Sequence, residues 1–190
     1  MMRIVVCVKQ IRHVYARTGM DPKRNFLAPE DQITRVNPYD EAAVALALRA
    51  REARGGGEVI LLTLGALIAE KELRRCLAMG ADHLYRIDAD GWMDPWQKSG
   101  LLAGAIKALG AHLVLCGRES LDRQNGQVGA FLAHHLGMPF LSPITDLKVT
   151  RQGAAEVLRN AGRGVRERIE CPLPAVFSVD MGLHEPRVPA

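Results

Sequence analysis

The sequence predicts an α/β fold: an open, mainly parallel sheet with helices on both faces, plus a β-hairpin region near residues 145–170. Two patterns predict it. Short runs rich in Val, Ile and Leu alternate with longer segments of helical period, as in sheets built from strand–helix–strand units. Beyond Pro139, runs of alternating apolar and polar residues are separated by turn-forming residues, as in antiparallel hairpins. Residues 1–190 are expected to form one domain, since domains hold about 100–200 residues.

Apolar runs of strand length are the candidates for buried strands. They span residues 3–9, 58–64, 83–88, 112–117 and 175–180. Continuous apolar runs of this length are typical of parallel strands that are covered on both faces. The runs at 145–150, 154–160 and 164–170 instead show the alternation of antiparallel strands with one exposed face.

Segments of helical period lie between the first strands, at residues 38–54, 68–79, 94–109 and 126–136. The first follows Asn37 and opens on Pro38, an N-cap residue followed by proline at the first helical position. Gly80 and Gly137 directly follow the second and fourth, where left-handed backbone commonly ends a helix. Strict alternation of strand and helix implies right-handed crossovers and a parallel sheet.

Residues 11–35 are the segment whose secondary structure is hardest to predict from the sequence. They show no sustained period and are predicted to form one long polar connection. A connection of this length inside a compact domain indicates a functional loop.

Composition excludes several classes of protein. The formal net charge is +4 and 5% of the residues are aromatic, which disfavours a stacking platform for single-stranded nucleic acid; no nucleic-acid partner is expected. No stretch approaches the roughly 20 apolar residues of a membrane span, and the opening apolar run is too short for a secretory signal. A cytoplasmic protein is therefore expected.

The cysteines lie far apart, without a C-x-x-C pair. They are Cys7, Cys76, Cys116 and Cys171, each in an apolar context. This pattern favours small buried apolar residues over disulfides or a metal site, and no metal is expected.

The loops that follow the strands are the expected ligand site, because ligands of open parallel sheets bind beyond the carboxyl ends of the strands. These loops begin at Cys7, Leu64 and Gly117. The third, residues 117–129, is rich in polar residues and glycine and enters the fourth helix. Helix N-termini present unpaired N–H groups, so a phosphate is the expected ligand. No G-x-G-x-x-G or G-x-x-x-x-G-K-[ST] motif is present, which excludes the standard dinucleotide fingerprint and the P-loop.

Both candidate segments also allow a purely structural interpretation. Residues 117–129 are compatible with a plain strand-to-helix loop capped by Asn125. The segment 37–41 is a complete helix-start signal, so Asn37 either only caps the helix, contributing about 1 kcal/mol, or its backbone also meets an adenine or a ribose. Local sequence leaves both alternatives open.

Catalytic sets are not evident, and no catalytic residue is expected. The histidines on predicted elements are His83, His112, His134 and His135. They are scattered over strands and one helix, which is typical of packing or surface positions. Ser120 lacks the G-x-S-x-G context of a nucleophile elbow.

Six segments, in the same order along the chain, resemble the beta subunit of electron transfer flavoproteins. They are RIVVCVKQI at 3–11, VNPYDEAAVALALR at 36–49, LRRCLAMGAD at 73–82, LVLCGRESLDRQNGQVG at 113–129, CPLPAVFSVD at 171–180 and GLHEPRVP at 182–189. Each segment alone is weak evidence for this family, whereas all six in the same order are highly specific evidence for it. The resemblance implies an adenine-nucleotide-binding, Rossmann-like fold of the HUP type.

The resemblance also implies function. It implies a non-catalytic electron carrier that forms a heterodimer with an FAD-bearing alpha subunit and serves flavin dehydrogenases or an acceptor oxidoreductase. It implies bound AMP, or FAD in the same site, while the redox FAD lies mainly in the alpha subunit. The cofactor-binding residues that it implies are Cys7, Asn37, Pro38, Tyr39, Asp40, Leu64, Gly117, Asp122, Asn125, Gly126, Gln127 and Val128. Tyr15 and Tyr39 are the implied neighbours of the flavin.

The chain departs from the family pattern in two places. Arg123 and Gln124 are unusual within the loop, whereas its Gln-Val-Gly ending is similar to the branch in which a second FAD replaces AMP and electrons are bifurcated. AMP, FAD and an empty pocket therefore all stay open. The family continues past Ala190 with a recognition loop and an arm around the alpha subunit. The resemblance thus implies a short homologue that holds its alpha partner less tightly.

Two other groups of adenine-binding proteins share this fold and are the alternatives. An ATP pyrophosphatase needs an S-G-G-x-D-S loop after the first strand, where this chain has residues 9–11, Lys-Gln-Ile. A universal stress protein would carry a Gly-rich ATP loop at Gly117, where residues 118–124 are bulky. Both motifs are thus missing at the positions that require them.

Overall fold

The structure is a computed structural model that describes residues 1–12, 34–66, 70–89, 91–150 and 152–181. The strands within these ranges are β1 (Arg3–Cys7), β2 (Gln10–Arg12), β3 (Thr34–Val36), β4 (Glu58–Leu64), β5 (His83–Ile87), β6 (Leu113–Gly117), β7 (Phe140–Val149), β8 (Ala154–Gly162), β9 (Val165–Pro172) and β10 (Ala175–Val179). The helices are α1 (Pro38–Arg54), α2 (Glu70–Ala78), α3 (Pro95–Leu109) and α4 (Val128–Leu136). Residues 182–190, which include the segment GLHEPRVP, lie outside the described residues.

Eight strands form one sheet in the order β5-β4-β1-β6-β10-β7-β8-β9. Neighbouring strands from β5 to β7 are parallel. The remaining pairs, β7 with β8 and β8 with β9, are antiparallel. These two antiparallel pairs form the predicted hairpin region, and the predicted α/β fold class is confirmed.

The sheet is covered by helices on both faces because successive side chains of its central strands point in opposite directions. From β1, Ile4 and Val6 join a core with α1 and α2. Val5 and Cys7 join a second core with α3 and α4. All four cysteines are buried and free, as the sequence predicts. Within the described ranges, no helix is long and apolar enough to cross a membrane.

The prediction of one polar connection over residues 11–35 is wrong at both ends. β2 and β3 pair antiparallel as a separate two-stranded ribbon, with Ile11 opposite Arg35. Ile11 and Val36 are buried, but three-residue strands are too short to show a period in the sequence. Residues 13–33, including Tyr15, lie outside the described residues.

β7 begins at Phe140, earlier than the sequence predicts. Its first half pairs parallel with β10, and its second half pairs antiparallel with β8. One strand therefore serves two partners of opposite direction. Apolar and polar residues alternate only in the second half of β7, where one face is exposed. This alternation therefore predicts a strand only from residue 145.

Candidate functional site

The candidate site lies where the strand order of the sheet reverses. The chain proceeds from β1 outward through β4 to β5, and then returns to place β6 on the other side of β1. The carboxyl ends of β1 and β6 therefore diverge into a crevice, the usual ligand position in such sheets. A cleft of about 320 Å³ occupies this place, lined by the loops that follow β1, β4, β5 and β6 and by the first turns of α3 and α4.

Most residues that the resemblance assigns to a nucleotide come together in this cleft. Those that line it are Cys7, Asn37, Asp40, Leu64, Gly117, Asn125, Gly126, Gln127 and Val128. They come from four separate segments of the chain. Pro38, Tyr39 and Asp122 do not line the cleft. Asp122 pairs instead with Lys9 Nζ. Pro38 opens α1, and the buried Tyr39 donates from its hydroxyl to Glu119 Oε1 at 3.3 Å.

Asp40 connects three elements below the cleft. Its carboxylate accepts hydrogen bonds from the backbone N–H of Lys9 at 2.8 Å, from Asn37 Nδ2 at 3.0 Å and from the N–H of Gly117 at 3.1 Å. The side chain is buried, with 5% exposure. Burial raises the pKa of Asp40 to about 7, although all three hydrogen bonds favour the ionised form. Asp40 therefore holds the ends of β1 and β6 against the start of α1.

Asn37 stands at the N-cap of α1, but its side chain makes no capping hydrogen bond. The predicted capping role of its side chain is therefore wrong. Its amide instead donates to Asp40 and, at 2.8 Å, to the carbonyl oxygen of Glu119, while its oxygen accepts from the N–H of Leu121 at 3.4 Å. These bonds fix the loop after β6 to the start of α1.

Replacing Asn37 with alanine is expected to lower the free energy of unfolding by about 1–3 kcal/mol, because it leaves buried polar partners unsatisfied. Urea unfolding followed by circular dichroism measures the change. Asn160→Ala is the control, since the half-exposed Asn160 accepts from the N–H of Gly162 at 3.0 Å in an exposed turn and otherwise donates only one long bond, of 3.5 Å, to Asp180. Equal losses in the two variants would contradict the connecting role of Asn37.

The loop after β6 ends in two left-handed residues before α4. Gln124 has φ 51° and Gly126 has φ 63°, and only glycine adopts this conformation at no steric cost. α4 then begins at Val128 with Gln127 at its N-cap and without a side-chain capping bond. The predicted cap at Asn125 is wrong. The N–H groups at the start of α4 are therefore free of a side-chain acceptor and open on the cleft.

Positive side chains surround this opening. Lys9, Lys98, Arg118 and Arg123 all line the cleft. Lys9 Nζ pairs with Asp122 Oδ1 at 2.5 Å and donates to Ser120 Oγ at 3.1 Å. Burial lowers the pKa of Lys98, and the nearby charges of Lys9 and Arg123 lower it further. A cleft with these cations and with free helix N–H groups attracts an anion.

Sequence reasoning missed the part of the cleft that follows β5. Trp92 and Met93 from this loop and Lys98 from the first turns of α3 line the cleft. The carboxyl-end rule applies to β5 as well, so this loop could have been included. Lys98 could not, because its place depends on how α3 packs on the sheet.

The described histidines lie outside the cleft, as expected for packing and surface positions. His134 and His135 surround Trp96, with ring centroids 5.5 and 4.2 Å from that ring. His112 Nδ1 accepts from the N–H of Arg3 at 3.2 Å.

The cysteine thiols that line the cleft are unsuited to nucleophilic chemistry. Burial raises the pKa of Cys7 to about 12 and that of Cys116 well above its usual value.

Comparison with known proteins shows the family of the chain. Residues 26–190 match the electron transfer flavoprotein domain. Subunit CarD of the caffeyl-CoA reductase–Etf complex of Acetobacterium woodii is 37% identical, over 98% of this chain and 71% of its own. The electron transfer flavoprotein beta subunit of Syntrophomonas wolfei is 30% identical over 100% and 73%. That of Mycobacterium bovis is 34% identical over 100% and 73%.

Proposed function

The chain belongs to the electron transfer flavoprotein family, as a beta subunit, and from this premise we propose that its cleft binds an adenine nucleotide, AMP or FAD. One observation carries the proposal: nine residues that the family resemblance implies for a nucleotide, from four separate segments, line one cleft at the switch point of the sheet. Such a convergence is typical of nucleotide sites in open α/β sheets.

The chemistry of the cleft supports a nucleotide. The start of α4, with Gly126 and Gln127, would hold a phosphate through backbone N–H groups that lack a side-chain acceptor. Cys7, Leu62 and Leu64 would supply an apolar wall for a base. Pockets of this kind combine apolar walls with a few polar groups that fix the orientation of the ligand.

We propose that the chain acts as an electron carrier subunit, not as a catalyst, in a heterodimer with an FAD-bearing alpha subunit. A flavin in the alpha subunit would supply the redox chemistry, and flavin dehydrogenases or an acceptor oxidoreductase would be the exchange partners. This chain's residues would bind and orient the nucleotide. The protonated thiols of Cys7 and Cys116 would not compete with the flavin as redox groups. The place of Tyr39 beside the flavin stays a prediction.

Analysis of the released ligand tests the nucleotide. We expect one adenine nucleotide per chain when the purified protein is denatured with acid and the extract is measured by mass spectrometry. AMP and FAD each identify one member of the proposed pair. ATP, or an extract without nucleotide from protein that also fails to bind AMP and FAD, would contradict the proposal.

Asn125→Ala tests the site. Among the described residues the Asn125 side chain has no hydrogen-bond partner, although it lines the cleft. The variant is therefore expected to keep its stability and to bind AMP about tenfold more weakly, the loss of one ligand hydrogen bond. Calorimetric titration of nucleotide-free protein measures the affinity, with Gln152→Ala, at an exposed position that does not line the cleft, as the control that keeps it. Unchanged affinity in Asn125→Ala would remove this residue from the site.

A further inference from the structure

The sheet ends on one side at β9 (Val165–Pro172), and this edge is open. β9 pairs with β8, and within the described ranges no strand pairs with its other side. An edge strand presents unpaired backbone N–H and C=O groups that can bind another strand. Pro172, which has no N–H group, and the charged side chains of β9 limit the strands that fit. The residues of this edge therefore define which partner it can take.

The hydrogen bonds of β8 show which residues of β9 direct their backbone groups to the open edge. The carbonyl oxygen of Ala154 accepts from the N–H of Thr150 at 2.8 Å, on the β7 side of the strand. Because these directions alternate along an antiparallel strand, Ala155 directs its groups to β9, where it lies opposite Cys171. Cys171 thus directs its groups back to β8. The residues of β9 that alternate with it, and so face the open edge, are Arg166, Arg168, Glu170 and Pro172.

Two charged side chains of this edge lack a partner. Arg168 and Glu170 are exposed, and among the described residues they make no ion pair or side-chain hydrogen bond. Their side chains share one face of the sheet, since they are two positions apart. Arg168 lies opposite Leu158, whereas Glu170 lies opposite Glu156. Like charges directly opposite each other destabilise a pair of strands. A cation beside Glu170 and a carboxylate beside Arg168 would relieve this arrangement.

Antiparallel pairing with β9 of a second copy supplies both partners in one register. The backbone directions allow only registers in which edge-facing residues oppose each other. Registers that oppose Arg168 or Glu170 to itself place like charges at the twofold axis. Only the register with Ile169 on the axis opposes Arg168 of each copy to Glu170 of the other. It also opposes Arg166 to Pro172 and forms about six backbone hydrogen bonds, because only the proline lacks a donor.

We propose that two copies of this chain associate through their β9 strands in this register, which joins their sheets into one. The interface is a twofold one that uses the same residues of both copies. Its backbone hydrogen bonds supply the affinity, as in other cases of strand addition. The two Arg168–Glu170 pairs fix the register and disfavour the others by charge repulsion. The interface uses no residue that lines the cleft, so it does not depend on the proposed nucleotide site.

Sedimentation of the full chain at rising concentration tests the association. We expect a monomer and a dimer in equilibrium, with a Kd on the order of 100 μM because the interface is small. Arg168→Glu and Glu170→Arg each place like charges opposite each other at both pairs, and each should weaken the association at least about tenfold. Lys148→Glu is the matched control. It changes the net charge as much as Arg168→Glu, but the exposed Lys148 lies on β7, two strands from the edge, so the association should persist.

Mixing the two variants tests the register itself. Arg168→Glu in one copy and Glu170→Arg in the other again oppose unlike charges at both pairs, so the mixture should form a dimer that neither variant forms alone. Glu170→Arg also places a cation opposite Glu156, so its urea unfolding midpoint should equal or exceed that of the wild type. Its monomeric state would then not reflect misfolding.

Three results would overturn the interface. A wild type that stays monomeric up to about 1 mM would leave the edge of β9 to a strand of another protein. A mixture of the two variants that stays monomeric would exclude the register. Association that neither charge reversal weakens would place the contact on another surface. Restored association in the mixture, with Lys148→Glu unaffected, would support the proposal.

Discussion

Replacing Gly117 with alanine is expected to lower the free energy of unfolding by about 3 kcal/mol or more. A Cβ atom at this position would lie 2.3 Å from Asp40 Oδ1 and 2.7 Å from the Cβ of Tyr39. Asp40 and Tyr39 are both buried in the first turn of α1, so neither can move away cheaply. Overpacking alone costs about 1–3 kcal/mol. Forcing Asp40 away would also break its hydrogen bond with the N–H of Gly117.

Urea unfolding measures the loss, and α3 offers a matched control. A Cβ atom added at Gly104 would meet nothing within 4 Å, and Gly104 lies inside an α-helix. Gly104→Ala is therefore expected to raise stability by roughly 0.5–1 kcal/mol. A Gly117→Ala variant as stable as the wild type would contradict the close approach of α1 to the end of β6.

Gly117→Ala is also expected to weaken the binding of a nucleotide in the cleft. Gly117 and Asp40 both line it, so pushing α1 away from β6 displaces walls on two sides of the ligand. Calorimetric titration of the folded fraction at low temperature should show at least tenfold weaker AMP binding, because small displacements at a site already cost that much. Unchanged affinity would mean that the cleft tolerates a shift of α1.

The main sheet was predictable from sequence because its signals are local. The apolar run at β4 needs no partner to be recognised, and Gly80 and Gly137 mark their helix ends by backbone preference alone. Once the parallel order is inferred, the rule that ligands bind at carboxyl ends selects the loops at Cys7, Leu64 and Gly117. These three residues do line one cleft.

The connections within the site were not predictable in the same way. Two of the partners of Asn37, Glu119 and Leu121, lie in the loop after β6, more than eighty positions away along the chain, so its local context shows only a helix cap. Asp40 likewise resembles an acid in a first helical turn, where the helix dipole alone would justify it. Its burial and its bonds to Lys9 and Gly117 follow from the meeting of β1, β6 and α1. Such meetings depend on packing and not on sequence period.

The buried carboxyl of Asp40 is expected to make the stability of the protein fall as the pH rises from about 4 to 7. Its pKa lies near 3.8 when the chain is unfolded and rises to about 7 in the fold, because burial disfavours its charge. Between these values the folded state binds more protons than the unfolded state, so raising the pH favours unfolding. For this one group the limiting slope is about 1.4 kcal/mol per pH unit. Above pH 7 its contribution should no longer change.

Urea unfolding at several pH values, in wild type and in Asp40→Asn, isolates this contribution. The asparagine does not titrate, and its NH₂ group, which cannot accept, would face an N–H donor where the carboxyl oxygens accept bonds from Lys9, Asn37 and Gly117. We therefore expect Asp40→Asn to be less stable than wild type at pH 5 by about 2–4 kcal/mol, the cost of unsatisfied buried donors. The difference should shrink toward pH 8, as the wild type bears the cost of its buried charge. A difference independent of pH would mean that Asp40 keeps an ordinary pKa in the fold. Its three hydrogen bonds would then outweigh its burial.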